Sequence, residues 1–352
     1  HAPGPYAKAP EPYKDITPMD MLTFPNSRDF GLPAFVPNNV AACAVIHWDI
    51  LKAFDNCAPT FDKLFGENET GIWEDVLESL EKDEDGPQIN LRNELIALLE
   101  PHVTAVTSYQ PEITATSERL LFLVRIKPGN EEKVIAGLRK WLREDDPTIR
   151  RRQFEGLDIW ESVEPKSPKA SAAPTITLPV YTPDKTADTP RKEHRLRRGD
   201  DEEQALLPHR SVAVFQGHLL IASHYDYLTE VLTQAKTPDP VSESMDFRLV
   251  GARMEAIGAD EGCLRSFSRT DEEFRPTYEL IRMGKMPEAE TMFARMLNAA
   301  MGPAKRGKVR KQQIEGKEMP DFQVVRRALG PGGTFGKTEK DGWFVVGFVL
   351  EK

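Results

Sequence analysis

The polar tract at residues 163–210 constrains the fold of this chain more than any other feature. It reads VEPKSPKASAAPTITLPVYTPDKTADTPRKEHRLRRGDDEEQALLPHR, and proline, serine, threonine and charged residues dominate it. A segment this polar buries too little apolar area to offset the entropy lost on ordering. We therefore predict a long disordered-type loop that interrupts an ordered scaffold. The sequence leaves open whether a partner orders this loop or a protease cleaves it.

The composition predicts a substantial core and no general affinity for nucleic acid. Hydrophobic residues make up 39% of the 352 positions, and the formal net charge is −10. Binding to nucleic acid needs a broad basic face, which this charge balance disfavours. The longest apolar runs, such as WFVVGFVL at 343–350, fall short of the roughly 20 residues that span a bilayer. We expect no nucleic-acid partner and no transmembrane segment.

Hydrophobic periodicity predicts helices and strands in irregular alternation. The predicted helices lie at 50–57, 72–80, 90–99, 130–142, 245–257, 274–285, 287–301 and 320–329, and another ends at 235. The predicted strands lie at 41–48, 102–109, 119–127, 150–154, 157–163 and 343–350, with two more around the tight turn at Gln216 and Gly217. Several of these strands form hairpins. The pattern is typical of an α+β fold with a mixed, mostly antiparallel sheet and packed helices, rather than a doubly wound parallel fold.

The tract at 163–210 also suggests a division of the chain. Residues 1–36 are rich in proline, and we interpret them as an extended arm that docks on its own body or on a neighbour. Residues 37–352 form the α+β body. Residues 119–142 and residues 211–234 each contain a strand followed by a helix. This likeness raises the question whether 37–162 and 211–352 are two similar halves. The arm predicts a protein partner or self-association.

Two spacings resemble capping boxes, in which two side chains close the first turn of a helix. Ser223 and Asp226 precede the helix that ends at 235, and Thr270 and Glu273 precede the helix at 274–285. We also expect Phe247, Val250, Met254 and Ile257 to face inward on one helix. The glycine-rich LGPGGTFG at 329–336 lacks the lysine of a phosphate-binding loop, and a chain reversal is the preferred interpretation.

The histidines supply the candidates for chemistry. His218, His224 and Asp226 lie close enough in sequence to suggest a metal site, although the cap accounts for Asp226. His47 precedes Asp49 at the end of a strand, but no nucleophile accompanies this pair. The sequence contains none of the common hydrolase or zinc motifs. We therefore predict no catalytic residue, no resident metal and no cofactor.

Two further groups have a structural interpretation and a functional alternative. Cys43 and Cys57 can pair in an oxidising compartment, leaving Cys263 over, but three small buried thiols are the preferred interpretation. A basic cluster near the C-terminus is a candidate site for an anionic polymer or headgroups, and a solvated loop is preferred. The cationic residues of this cluster are Lys305, Arg306, Lys308, Arg310 and Lys311.

Three runs of the sequence share a pattern with known proteins: ERLLFLVRIKPGNEEKVIAGLRKWL, RRRQFEGLDIWES and SVAVFQGHLLIASHYDYLTEVLTQA. They resemble an uncharacterised family of exported bacterial proteins that is frequent in planctomycete-type genomes. The family is known only as a domain of unknown function, so the resemblance implies a periplasmic or cell-envelope location and no particular reaction. It also implies that His1 is not the start of the precursor.

These observations lead to one hypothesis and two alternatives. The hypothesis is a non-catalytic exported cell-envelope protein with a structural or protein-interaction role. The first alternative is a metal-dependent hydrolase that uses His47, His218 or His224. The second alternative is a binding module for an anionic polymer.

Overall fold

The computed structural model describes residues 16–65, 70–110, 112–163, 209–286 and 315–352, together with the backbone at 178–179 and 193–194. The predicted helix at 287–301 and the basic cluster that begins at Lys305 lie outside these residues, as does nearly all of the polar tract. Within the described ranges, no helix combines the length and the apolar character that crossing a bilayer requires.

One antiparallel sheet of ten strands organises the molecule, which confirms the α+β prediction. Its order is β12-β11-β10-β1-β2-β3-β9-β8-β5-β4. The strands are β1 (Ala42–Ile46), β2 (Leu99–Tyr109), β3 (Glu118–Ile126), β4 (Ile149–Phe154), β5 (Leu157–Ser162), β8 (Ser211–Phe215), β9 (His218–Ala222), β10 (Leu264–Arg269), β11 (Pro331–Glu339) and β12 (Gly342–Val349). The short strands β6 (Leu178–Pro179) and β7 (Glu193–His194) pair only with each other.

Nine α-helices occur in the described residues. They are α1 (Ile50–Asp55), α2 (Ala58–Phe65), α3 (Ile72–Lys82), α4 (Leu91–Glu94), α5 (Glu131–Trp141), α6 (Tyr225–Gln234), α7 (Met245–Ala256), α8 (Thr270–Arg282) and α9 (Phe322–Val325). Of these helices, α5, α6, α7 and α8 pack against the sheet and α3 packs against α2.

The sheet buries apolar side chains on both faces, because successive residues of a strand point to opposite sides. On one face, Leu121 and Leu123 of β3 pack with Leu228 of α6. On the other face, Val124 packs with Val134 of α5. Burying each of these side chains contributes about 1.5–3 kcal/mol to the stability of the fold. Because β3 supplies side chains to both faces of the sheet, it belongs to both cores.

Glycines in β11 allow α7 to approach the sheet closely. A Cβ on Gly333 would lie 2.6 Å from both Met254 and Val250 of α7. The prediction of a chain reversal at 329–336 is therefore wrong, because Pro331 onward forms a regular strand that pairs with β10 and β12. The glycines provide space for packing and do not bend the chain.

Three predicted helices have different bounds in the structure. The helix predicted at 90–99 ends at Glu94, and a 3-10 turn follows, because Leu99 joins β2 opposite Ile126. The helix predicted at 320–329 has only one α-helical turn, α9, followed by a 3-10 turn. In α7, Ile257 follows the last helical residue and is 39% exposed, so the expectation that it faces inward is wrong.

Neither predicted capping box forms. The Ser223 hydroxyl accepts a hydrogen bond from the Leu120 backbone N–H of β3 at 2.9 Å, and His224 takes the N-cap position of α6. Helix α8 begins at Thr270 itself, four positions before its predicted start. The carboxylate of Glu273 accepts a hydrogen bond from Ser268 of β10. In both places, a side chain that the spacing assigned to the helix N-terminus instead accepts a hydrogen bond from a residue of the sheet.

A cap that the sequence did not indicate joins α2 to α3. Asp62 is buried in α2, and its carboxylate accepts hydrogen bonds from the backbone N–H groups of Gly71 and Trp73 at 2.6 and 2.9 Å. A carboxylate at a helix N-terminus satisfies donors that lack an intrahelical partner. Because Asp62 belongs to the preceding helix, no local spacing predicts this contact.

Candidate functional site

Four neighbouring strands each place a basic or imidazole side chain on the same face of the sheet. His47 follows β1, His102 lies in β2, Arg125 lies in β3, and His218 begins β9. Arg125 pairs directly with His218 across β3 and β9. We refer to these four residues as the histidine row. The sheet order assembles the row from distant parts of the sequence.

The members of the row contact one another and the strand backbones. The His47 and His102 rings lie 5.1 Å apart between centroids in an edge-to-face arrangement. Nη2 of Arg125 lies 3.4 Å from Nε2 of His102. His47 and His218 contact backbone carbonyl oxygens through Nδ1, that of Pro101 at 3.2 Å and that of Gln216 at 2.7 Å.

The described part of the N-terminal segment covers the row. Asp29 accepts a hydrogen bond from Arg125 at 2.6 Å. The Phe30 ring lies 5.1 Å from the His47 ring, and the guanidinium of Arg265 lies 4.5 Å from the centre of Phe30. The Phe35 ring also lies 5.7 Å from the His218 ring. This segment therefore contacts the sheet through an ion pair, ring contacts and a cation–π contact.

Burial lowers the pKa of two imidazoles in the row, those of His102 and His218. His47 and His102 are 4% and 2% exposed. Burial, with the charge of Arg125, lowers the pKa of His102 to about 4. Burial also lowers the pKa of His218, and the hydrogen bond from Arg125 lowers the pKa of the Asp29 carboxyl. At neutral pH, His102 is therefore uncharged beside the Arg125–Asp29 pair.

The row does not have the geometry of an accessible acid–base site. Nε2 of His47 and Nδ1 of His102 are buried, and neither has a hydrogen-bond partner in the described part of the molecule. A general base must reach the proton that it removes, directly or through one water molecule. With Phe30 and Asp29 in place, these two imidazoles are covered. What the arrangement does is hold the N-terminal segment against the sheet.

His218 lies apart from the other two residues proposed for a metal site. His218 begins β9 and His224 follows its end, a separation of about 20 Å along an extended chain. His224 lies beside Arg119, whose guanidinium is 3.7 Å from Asp226, and burial lowers the pKa of His224 to about 4. Among the described residues, no group of three or more His, Cys, Asp or Glu side chains has an arrangement that could hold a metal ion.

The three cysteines are free thiols. Cys43 and Cys263 are buried, and Cys57 is half-buried. Burial raises the pKa of Cys43 to about 12 and that of Cys57 to about 11. A thiol with a raised pKa is a poor nucleophile because the thiolate is the reactive form.

A cleft of about 660 Å³ lies between the N-terminal segment and α8. Tyr109, Arg269 and Arg275 are among the residues that line it. Arg269 is already engaged: its guanidinium pairs with Asp246 at 2.5 Å and donates to the backbone carbonyl oxygens of Asn38 and Val40. Its charge is thus neutralised within the fold.

A strand with several exposed apolar side chains lies at one edge of the sheet. Strand β12 has β11 on one side and no strand on the other within the described residues. Trp343, Phe344, Val345 and Val349 are 45%, 50%, 57% and 56% exposed. We refer to residues 342–350 as the β12 edge. The sequence indicated a strand here, but its edge position follows only from the strand order.

The opposite edge of the sheet is charged. Strand β4 contains three consecutive arginines, of which Arg151 pairs with Glu144 at 2.6 Å and Asp158 at 2.9 Å. Arg152 pairs with Glu161 at 3.2 Å. Charged side chains on an edge strand oppose the addition of another strand. The two edges therefore differ in their capacity for association.

Comparisons with known proteins identify no family. No family model matches the chain, and no curated protein matches it. One solved structure, "Structure of crystal form I of TP0453", aligns with 90% of this chain and 77% of its own at 8% identity, with a TM-score of 0.34. A likeness this weak carries no inference about fold or function.

Proposed function

We propose that this protein is a non-catalytic, exported cell-envelope protein that acts in protein association through the β12 edge. The observation that carries the proposal is the exposed, uncharged strand at one end of the ten-stranded sheet. An unprotected edge offers backbone donors and acceptors to an added strand, and exposed apolar side chains add area that becomes buried on contact.

The histidine row supports the non-catalytic part of the proposal. Of its two buried imidazoles, His47 lies against Phe30 and His102 lies against His47, and its arginine pairs with Asp29. The contacts of the row are made within the fold. A defined substrate turnover that is lost in both His47→Gln and His218→Gln variants, with folding retained, would contradict this part.

Export and an envelope location are proposed on the resemblance of the three sequence runs to exported bacterial proteins. Fractionation of a native host tests this part directly. We expect the chain in the periplasmic or envelope fraction, and recovery with cytoplasmic markers would contradict it.

Site-specific photo-crosslinking in the native host tests the association. A photoreactive benzoylphenylalanine replaces Val345 on the β12 edge. The matched control replaces Val324, which is 59% exposed and lies in α9, outside the β12 edge. We expect covalent protein adducts at 345 and none at 324. The absence of any adduct at 345, with the variant folded and expressed, would overturn the proposed function.

A further inference from the structure

We propose that the β12 edge pairs with the β12 edge of a second copy of this chain, antiparallel and around a two-fold axis. This inference rests on the proposed function, because it names the partner of the same surface. The partner follows from three properties of the strand: the direction of its backbone groups, its lack of charge, and its contrast with the other edge of the sheet.

The backbone of β12 has hydrogen-bonding groups that face away from the sheet. The Leu350 N–H donates to the Pro331 carbonyl oxygen of β11 at 2.8 Å. Hydrogen bonding alternates along an antiparallel pair, so the amides of Phe344, Val346 and Phe348 face β11. The amides of the residues between them face outward. The outward-facing residues are Trp343, Val345, Gly347 and Val349.

Residues 342–350 lack the features that usually protect a sheet edge, although the Phe24 ring of the N-terminal segment lies 5.8 Å from the Trp343 ring. Residues 342–350 contain no charged residue and no proline. The register with β11 runs without interruption from Gly332 opposite Val349 to Glu339 opposite Gly342, so no bulge twists the edge away. Lysine, proline and bulges are the usual means of protecting an edge, and β12 has none of them.

The contrast between the two edges favours a closed pair of identical edges. If β12 of one copy joined β4 of the next, apolar side chains would lie against the arginine-rich strand, and the contact would repeat without closing. Pairing of β12 with itself places uncharged side chains opposite uncharged side chains. An isologous contact of this kind ends at two copies.

The size and charge of the partners set the strength of the contact. The edge is about 27 Å long, since an antiparallel strand rises about 3.4 Å per residue, and stable interfaces bury about 800 Å² per partner. Each copy carries a formal net charge of −10, so the copies repel at long range while the edge itself is neutral. We therefore expect a concentration-dependent dimer that added salt strengthens by screening the repulsion.

Sedimentation velocity of the intact chain over a range of concentrations tests the inference. We expect wild type to shift from the mass of one 39.7 kDa chain toward twice that mass as concentration rises. Val345→Lys places like charges near each other across the two-fold axis and weakens association by roughly tenfold or more. Val324→Lys adds the same charge elsewhere on the surface and leaves association unchanged.

A charge-pair experiment separates a specific contact from a folding defect. Val345→Glu alone also weakens association, whereas an equimolar mixture of Val345→Lys and Val345→Glu restores it. A monomeric wild type at every concentration, or undiminished association of Val345→Lys, overturns the inference. A photo-crosslinked adduct at 345 that contains a different protein leaves the proposed function in place and overturns only the self-pairing; no adduct overturns both.

Discussion

The carboxylate of Asp29 lies 2.6 Å from Nη1 of Arg125, so the N-terminal segment is tied to a strand in the middle of the sheet. Arg125 is also 3.6 Å from Glu100, which remains as its partner if Asp29 is removed. We expect Asp29→Asn to lower the free energy of unfolding by about 0.5–1 kcal/mol, because the pair is partly exposed. Hydrogen exchange of residues 27–36 should accelerate.

The matched control for this change is Arg28→Gln. Arg28 lies 3.7 Å from Glu261, and both side chains are largely exposed. Equal acceleration of exchange in the Asp29→Asn and Arg28→Gln variants would show that the contact with Arg125 does not hold the segment.

The buried imidazole of His102 makes the fold sensitive to acid. Its pKa is about 4 in the folded protein, against 6.5 for the ordinary side chain. Between these values the unfolded chain binds a proton that the folded chain does not, so the free energy of unfolding falls as pH decreases from 6.5 to 4. The contribution of this group is on the order of 3 kcal/mol. We expect urea unfolding of His102→Gln to show a smaller decrease over this range.

A histidine on the surface provides the comparison. His209→Gln removes an exposed imidazole that lies outside the histidine row, and its unfolding is measured in parallel. An identical pH dependence for His102→Gln and wild type would contradict the assignment of acid sensitivity to the histidine row.

Substitutions of Ser223 and of Asp226 distinguish the observed contact of Ser223 from the predicted capping box. Ser223 accepts the Leu120 N–H within the core, whereas Asp226 accepts only the adjacent Tyr227 N–H and lies near Arg119. We expect Ser223→Ala to cost about 1–2 kcal/mol of unfolding free energy, because it leaves a buried donor unsatisfied. Asp226→Ala should cost less than about 0.5 kcal/mol. Similar losses of unfolding free energy for the two variants, measured by chemical denaturation, would support the predicted capping box and contradict the observed contact.

Alanine substitutions of two glycines, Gly333 in β11 and Gly347 in β12, test how closely α7 approaches the sheet. Gly333→Ala introduces a Cβ that lies 2.6 Å from Met254 and Val250, and we expect a loss of about 1–3 kcal/mol from overpacking. In Gly347→Ala, the nearest atom to the new Cβ is 3.6 Å away, an ordinary contact. Thermal unfolding compares them, and equal melting temperatures would mean that α7 can move away without cost.

Local patterns in the sequence predicted the elements that local interactions determine. The hairpin at 150–163 and the turn at Gln216 and Gly217 were confirmed, because both turns require positive φ angles at two adjacent residues. The start of α5 after Asn130 was confirmed as well, and it follows Gly129, which has a φ of 78°. Each of these elements is specified within a few neighbouring residues.

The remaining features depend on contacts between distant segments. Strand β10 was not predicted, because LRSFSR buries only Phe267 deeply and lacks the pattern of a core strand. It pairs between β1 and β11, which no local pattern indicates. The histidine row was missed as a unit for this reason, although His47 and His218 were noted separately. Strand order places them on one face.

The exchange of individual β12 amides tests the central claim most directly. The outward-facing amides of Val345 and Gly347 should become more protected as protein concentration rises, while the amides of Phe344 and Val346, bonded to β11, stay protected throughout. Hydrogen exchange resolved to single residues measures this alternation. Exchange at 345 and 347 that is equally fast at every concentration would contradict association through the β12 edge.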